Sequence, residues 1–187
     1  PDGERRTVAV SAQPLHHVGE VGGVVASLRD VTDERRARDA VVQSEARYRN
    51  LYETATDAIY TLDGKGAFTS VNQATCTISR FPREELLGRN STVMLEEAES
   101  EMVSAHFRAA LSGESRRYEC HFTTGDGERR LLSVTNTPIP VREAVVGVLG
   151  IARDITDERR MAQQLLQQEK LAAVGQDGRG GAHELNN

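Results

Sequence analysis

Arg153-Asp154-Ile155-Thr156-Asp157-Glu158-Arg159-Arg160 repeats Arg29-Asp30-Val31-Thr32-Asp33-Glu34-Arg35-Arg36 with one conservative change, 124 residues further along the chain. The same offset relates Asp126-Gly127-Glu128-Arg129-Arg130 to Asp2-Gly3-Glu4-Arg5-Arg6, Pro138 to Pro14 and Gly147 to Gly23. Residues 2–36 and 126–160 are identical at 17 of 35 positions without a gap. Chance does not produce such self-similarity, which marks a repeated structural unit. The chain therefore reads as the end of one module, a helix, a whole second module and the same helix again.

Working back from the repeated stretch, residues 144–152 are almost all small or aliphatic, which predicts a central strand buried on both faces. Asp126-Gly127 is a hairpin turn signal between strands at 117–124 and 130–138. Tyr118, Cys120 and Phe122 alternate with Arg117, Glu119 and His121, giving one apolar face and one wet face. Residues 58–62 and 67–71 flank Asp63-Gly64-Lys65-Gly66, a second hairpin. Phe81-Pro82-Arg83-Glu84-Glu85-Leu86-Leu87-Gly88 has Pro near a helix start and Gly at its stop, and a longer helix is predicted over 97–111. Strand, strand, helices, three strands: this order predicts an α+β fold with an antiparallel sheet and grouped helices.

That order and several phrases resemble the PAS domain. The matching pieces are Asp57-Ala58-Ile59 at the first strand, Glu84-Glu85-Leu86-Leu87-Gly88-Arg89 in the middle, Gly113-Glu114-Ser115 before the third strand, and Arg153-Asp154-Ile155-Thr156 at the exit. The resemblance implies a five-stranded antiparallel sheet with helices on one face, flanked by coiled-coil signalling helices. It places the C-terminal part of a first PAS domain at 1–32, a linker helix at 33–50, a complete second PAS domain at 45–156, and a signalling helix leading into a phosphoacceptor domain at 157–187.

The exit motif has a mechanism of its own. Thr32 or Thr156 is expected to cap the helix that follows, whose first turn is acidic. The resemblance adds that Asp30, Thr32, Asp154 and Thr156 couple the sheet to the signalling helix. In the first helix Ala37, Val41, Ser44, Tyr48, Leu51 and Ala55 follow heptad spacing, and Met161, Leu165, Gln168 and Ala172 keep the same register in the second. Each helix covering its own sheet edge is the plainer reading; the repeated register favours a parallel homodimeric seam.

The chain ends Gly181-Ala182-His183-Glu184-Leu185-Asn186-Asn187. On a helix His183 and Asn187 share a face, with Glu184 on an adjoining row. This resembles the phosphoacceptor box of sensor histidine kinases, whose usual form continues into Pro-Leu, so the sequence is expected to be a segment of a longer protein. The resemblance implies that His183 accepts the phosphoryl group, that Glu184 orients the imidazole and acts as its acid/base partner, and that Asn187 places water for dephosphorylating a response-regulator receiver. Neutral imidazole has the nitrogen lone pair such a transfer needs. An ordinary surface helix is the rival reading; a zinc protease is excluded, since H-E-x-x-H needs His where Asn187 stands. Asp177-Gly178-Arg179-Gly180 departs from the apolar stretch usual before the box, and each mid-helix Gly costs about 1 kcal/mol relative to Ala.

Other chemistry is thinly supported. Gly88-Arg89-Asn90-Ser91 stands where the flavin-binding PAS branch has Cys after Gly-Arg-Asn, so Ser91 forms no flavin adduct. His106 lies where haem-binding PAS domains carry an axial ligand, yet His106-Phe107-Arg108-Ala109-Ala110-Leu111 is an ordinary amphipathic phrase. His16 and His17 are expected in an inter-strand loop, a poor metal site without a third ligand. No cofactor is expected in this segment; ATP and Mg are implied for the parent kinase only. With 187 residues, 27% charged, 38% hydrophobic and a net charge of −5, nothing favours nucleic acid as partner. No apolar run reaches the roughly 18 residues of a membrane span, and the expected place is the cytoplasm, with an anchor possible elsewhere in the parent. Cys76 and Cys120 read as free thiols. The expected function is the sensory and signal-transmitting part of a two-component histidine kinase, with an unidentified small molecule as a possible signal. The rivals are a non-enzymatic PAS binding and dimerisation module, and a PAS array feeding a cyclic-dinucleotide enzyme or a transcription activator.

Overall fold

The computed structural model describes residues 5–17 and 20–180. Two compact units, Pro1–Leu51 and Tyr52–Asn187, divide the chain.

In the first unit β1 (Val8–His17) and β2 (Glu20–Asp30) pair antiparallel from Val8↔Asp30 to His17↔Glu20, with a bulge between Leu15 and His16. The ladder runs on past the bulge, which takes His16 and His17 into β1 rather than into the expected loop. Helix α1 (Thr32–Thr54) follows, with Asp33 and Glu34 in its first turn, where the helix dipole favours anions.

The second unit begins with β3 (Ala58–Asp63), β4 (Phe68–Val71), α2 (Gln73–Ser79), α3 (Arg83–Leu86), a 3₁₀ turn (Ser91–Met94) and α4 (Glu97–Leu111). Strands β5 (Arg116–Thr123), β6 (Arg129–Val141) and β7 (Ala144–Asp154) come next, and helix α5 (Thr156–Gly180) leaves from the end of β7. The sheet order is β4-β3-β7-β6-β5, antiparallel throughout. This is the α+β, five-stranded arrangement that the resemblance implies, with the last strand at its centre.

Both expected hairpins are present. The Asp63 carboxylate accepts the N–H of Lys65 at 2.8 Å and of Ala67 at 2.9 Å, and Gly66 takes the left-handed conformation that closes the turn, φ 82°. The alternation along β5 holds too: Cys120 and Phe122 are buried and Glu119 is exposed.

The core lies between one sheet face and the helices. Ala58, Cys120, Val134 and Ala152 from four strands meet Val103 of α4. Leu62, Phe68 and Val71 meet Leu86 of α3, which is fully buried. Burying one such leucine is worth roughly 1.5–3 kcal/mol. Asn72, also fully buried, caps α2 and knits the unit together. Its Oδ1 accepts from the backbone N–H of Ile59 and Thr75 and from the Thr75 hydroxyl, while its Nδ2 donates to the carbonyls of Tyr52 and Asp57.

One expectation needs correction. Strand β7 is central but not buried on both faces, since Ile151 is 40% and Val146 51% exposed; the helices cover the other face. Helix α5 runs to Gly180, through Gly175 and Gly178. The family resemblance did not single out α2, a seven-residue helix whose β-branched residues disguise it.

The sequence repeat is also a structural one. Leu132↔Asp154 repeats Val8↔Asp30, and the bulge between Ile139 and Pro140 repeats that between Leu15 and His16. Gly147 and its counterpart Gly23 differ in their neighbours. A Cβ on Gly147 would stand 2.3 Å from the Leu62 carbonyl oxygen of β3, whereas one on Gly23 meets nothing within 4 Å. Gly147→Ala should therefore lower the unfolding free energy by roughly 1–3 kcal/mol, and Gly23→Ala should leave it within about 0.5 kcal/mol. Urea denaturation of the two variants checks this, and equal losses would refute the packing account.

Candidate functional site

The two exit motifs fold into the same hydrogen-bonded junction. In the second unit the Asp154 carboxylate accepts the Thr156 N–H at 3.0 Å and the Thr156 hydroxyl at 2.6 Å, and pairs with the Arg130 guanidinium at 2.8 Å. The Thr156 Oγ1 in turn accepts the Leu131 N–H of β6 at 2.9 Å, and the Ile155 N–H donates to the Leu131 carbonyl at 2.9 Å. In the first unit Asp30 takes the same bonds from Thr32 and pairs with Arg6 at 3.1 Å, while Thr32 Oγ1 accepts the Thr7 N–H at 2.8 Å.

This arrangement corrects the expected cap. Thr156 is the first helical residue, and the group that accepts its exposed N–H is Asp154, not a threonine hydroxyl. The threonine ties the helix back to β6 instead. Arg130 and Arg6 complete each junction; their identity at the same offset as the aspartates was the signal that motif reading passed over. Burial alone would raise the Asp154 carboxyl, but the bonds from Thr156 and the charge of Arg130 outweigh it and hold the group below its ordinary range. One turn into α5, Arg159 reaches both oxygens of Glu119 on β5, at 2.6 and 2.7 Å, a second tie from helix to sheet.

The second candidate site is a cavity of about 390 Å³ between the sheet and the helices. Apolar side chains such as Leu62, Ile78, Val103 and Phe107 form most of its wall. Tyr60, Tyr118, Cys120 and Asn136 also line it. Desolvation pushes both tyrosine hydroxyls up and the Cys120 thiol up to about 12, so all three are neutral at physiological pH. Gly150 on β7 makes room for the Tyr60 ring, which a Cβ there would meet at 2.2 Å. His106 stacks on Tyr118 with ring centroids 4.4 Å apart.

His183, Glu184 and Asn187 lie outside the described residues. Ser91 opens the 3₁₀ turn, where Asn90 accepts the Thr92 N–H. Cys76 and Cys120 are free thiols. Among the described residues, no group of three His, Cys, Asp or Glu side chains could hold a metal ion, and no helix is long and apolar enough to cross a membrane.

A family model described as the PAS fold (PAS_4) matches residues 52–160. Among curated proteins, the methanogenesis regulatory histidine kinase FilI of Methanothrix harundinacea is 27% identical over 157 residues, covering 83% of this chain and 18% of that protein. Sporulation kinase E of Bacillus subtilis is 28% identical over 148 residues, covering 79% of this chain and 20% of that protein. The chain thus spans about a fifth of these relatives' lengths. Among solved structures, a domain of a sensory box sensor histidine kinase/response regulator from Geobacter sulfurreducens superposes with a TM-score of 0.53 at 31% identity, over 60% of this chain and 94% of that one.

The junction makes stability acid-sensitive in a defined direction. The Asp154 carboxyl titrates lower in the folded than in the unfolded chain. Its contribution is therefore complete above the unfolded value near ~4 and is lost as pH falls through the folded value. Asp154→Asn should flatten the acid limb of a stability-versus-pH curve and lower stability at neutral pH by about 0.5–2 kcal/mol, the usual worth of a cap. An acid limb as steep as that of the unsubstituted chain would count against this account.

Proposed function

This chain belongs to the PAS-fold family, and from that premise we propose that it is the sensory and signal-transmitting segment of a two-component sensor histidine kinase, ending at its phosphoacceptor box. Its second unit is a PAS domain resembling those of histidine kinases. In this reading residues 1–32 are the C-terminal part of a first PAS domain, 33–50 a linker helix, 45–156 the second PAS domain, and 157–187 the signalling helix and the start of the phosphoacceptor domain. The parent works in the cytoplasm.

The observation that carries the reading is the doubled junction. Each hairpin ends in an aspartate bonded to the first residue of a long helix, and each helix start is bonded back to a backbone N–H, that of Leu131 in β6 or that of Thr7 just before β1. A displacement of the sheet must therefore move the helix, because the bonds leave no slack residue between them. Val41, Tyr48 and Leu51 on α1, and Met161 and Leu165 on α5, are each more than half exposed at heptad positions, which supports a homodimeric seam. Packed helices of that kind shift between discrete arrangements rather than deforming smoothly. Signal would pass from the cavity through the sheet, Asp154, Thr156 and α5 to the box, as it would through Asp30, Thr32 and α1 from the first domain.

At the box, the imidazole of His183 would attack the γ-phosphorus of ATP presented by a catalytic domain; the N–P bond forms as the bond to ADP breaks. Glu184 would orient the imidazole and, as its acid/base partner, take up the proton of the other ring nitrogen. An aspartate of a response-regulator receiver would then take the phosphoryl group, and Asn187 would place the water for the reverse hydrolysis.

Supplying this segment in its parent kinase, His183→Gln should abolish acid-labile labelling from ATP. Glu184→Ala should slow labelling, and Asn187→Ala should spare it while impairing receiver dephosphorylation. Thr156→Ala should shift the ratio of kinase to phosphatase activity while circular dichroism reports a folded domain. Undiminished labelling of the His183→Gln protein would sink the phosphoacceptor assignment. An unchanged activity ratio in Thr156→Ala would sink the coupling role.

A further inference from the structure

Two buried asparagines in the second unit are treated in opposite ways. Asn72 spends its whole amide on the protein, accepting three hydrogen bonds and donating two. Asn136, 98% buried by its 2% exposure, makes one side-chain bond, from Nδ2 to the Tyr118 hydroxyl at 3.1 Å. Its Oδ1 has no partner in the protein, and the residue lines the 390 Å³ cavity beside Tyr118. A buried carbonyl oxygen left unbonded is costly. The fold does not require an amide here: the repeat counterpart of Asn136 is Ala12, in a hairpin with the same register and the same bulge.

We propose that Asn136 and Tyr118 form the recognition pair of a binding site for a compact, uncharged molecule with an apolar body and one terminal group that both donates and accepts hydrogen bonds, such as a primary amide or an alcohol. This deepens the reading of the second unit as a sensory domain and rests on it.

The pair sets the polar end of the ligand. With one Nδ2 hydrogen engaged on the Tyr118 oxygen, the pair still offers one acceptor, Asn136 Oδ1, and two donors, the second Nδ2 hydrogen and the Tyr118 O–H. A group matching the pair must both donate and accept, through one oxygen as in an alcohol or through two atoms as in a primary amide. The remaining wall sets the body: it is mostly apolar, with Thr75, Ser79, Asn90, Ser91, Thr92 and Ser104 as its uncharged polar residues, and at about 30 Å³ of liquid volume per water the space takes on the order of a dozen non-hydrogen atoms. The charge follows from what faces the cavity. Among its lining residues there is no Asp or Glu, and its two cations, Lys65 and Arg108, are solvent-exposed. A carboxylate seated beside Asn136 would be buried without a counter-charge, and an ammonium likewise. A pure hydrocarbon would fill the space but strand Oδ1 as it displaced solvent.

The test uses the purified chain and four probes of similar size: 3-phenylpropanamide, 3-phenylpropan-1-ol, 3-phenylpropanoate and butylbenzene. Calorimetric titration at neutral pH should give affinities for the amide and the alcohol about tenfold or more above those for the carboxylate and the hydrocarbon. Asn136→Leu and Tyr118→Phe, which keep the apolar packing, should each erase the preference of the amide over butylbenzene while retaining butylbenzene binding. A carboxylate that binds as well as the amide, or an amide preference that survives both substitutions, would overturn the proposal, as would no binding by any probe. None of these outcomes bears on phosphorylation of His183, so failure here and failure of the kinase reading are separable. If Asn136→Leu unfolds the chain, Tyr118→Phe alone decides, since removing one hydroxyl leaves the ring and its stack on His106 in place.

Discussion

The junction between sheet and helix is built around one carboxylate. Asp154 ends the central strand, accepts the first orphan N–H of the helix and holds the guanidinium of Arg130 from the neighbouring strand. A helix start exposes backbone donors that must find partners, and here the partner is supplied by the sheet rather than by the helix itself. The cost of desolvating Asp154 is offset only while all these donors stay in place, so the group works as a unit. A self-contained cap would leave the helix free to swivel about the residue before it. Capping from the strand removes that freedom, and the bond from Leu131 to Thr156 fixes the remaining direction.

A second constraint is that the helices cover one face of the sheet. With α2, α3 and α4 all inserted between β4 and β5, the inward residues of five strands face them, and the outer face keeps Ile151 and Val146 partly in water. The inner space is not filled to uniform density. Ala58, Gly150 and Ala152 are small where Tyr60 and Tyr118 are large, and the mismatch leaves a cavity beside two phenols and an amide. Small residues on the central strands serve two ends at once: Gly147 lets β3 approach closely, and Gly150 leaves room for the Tyr60 ring.

Most of the fold was legible because its signals are local or repeated. Asp-Gly turns, the alternation of Tyr118, Cys120 and Phe122, and the stop at Gly88 each depend on a few neighbours. The 124-residue offset located the hairpin, the exit and the helix twice over. What escaped depends on distant pairing. No spacing rule places Leu131 against Thr156, so the threonine was read as the cap it is not. Asn136 sits among Thr135, Thr137 and Pro138 and reads as an ordinary strand residue; only its register beside Tyr118 brings it into a cavity. The one sequence clue was a difference between copies, Ala12 against Asn136, at an inward position. The phosphoacceptor box is legible as a motif, and its role rests on that likeness.

Cavity and junction share a strand, which bounds how one can affect the other. Asn136 and Leu131 are five positions apart on β6, about 17 Å at the rise of an extended chain, and β7 runs beside them from Gly150 to Asp154. Both ladder partners are thus common to the two sites. A molecule held by Asn136 would pull on the strand whose backbone N–H holds Thr156. It can bias the helix only by the difference in its affinity for the two arrangements of the sheet, however tightly it binds. A ligand bonded to Asn136 and Tyr118 senses the spacing of β5 and β6 directly, because those two side chains come from different strands and their bond is 3.1 Å long. On the coupling role proposed for Asp154, the polar pair is the part of the cavity suited to turning occupancy into strain there.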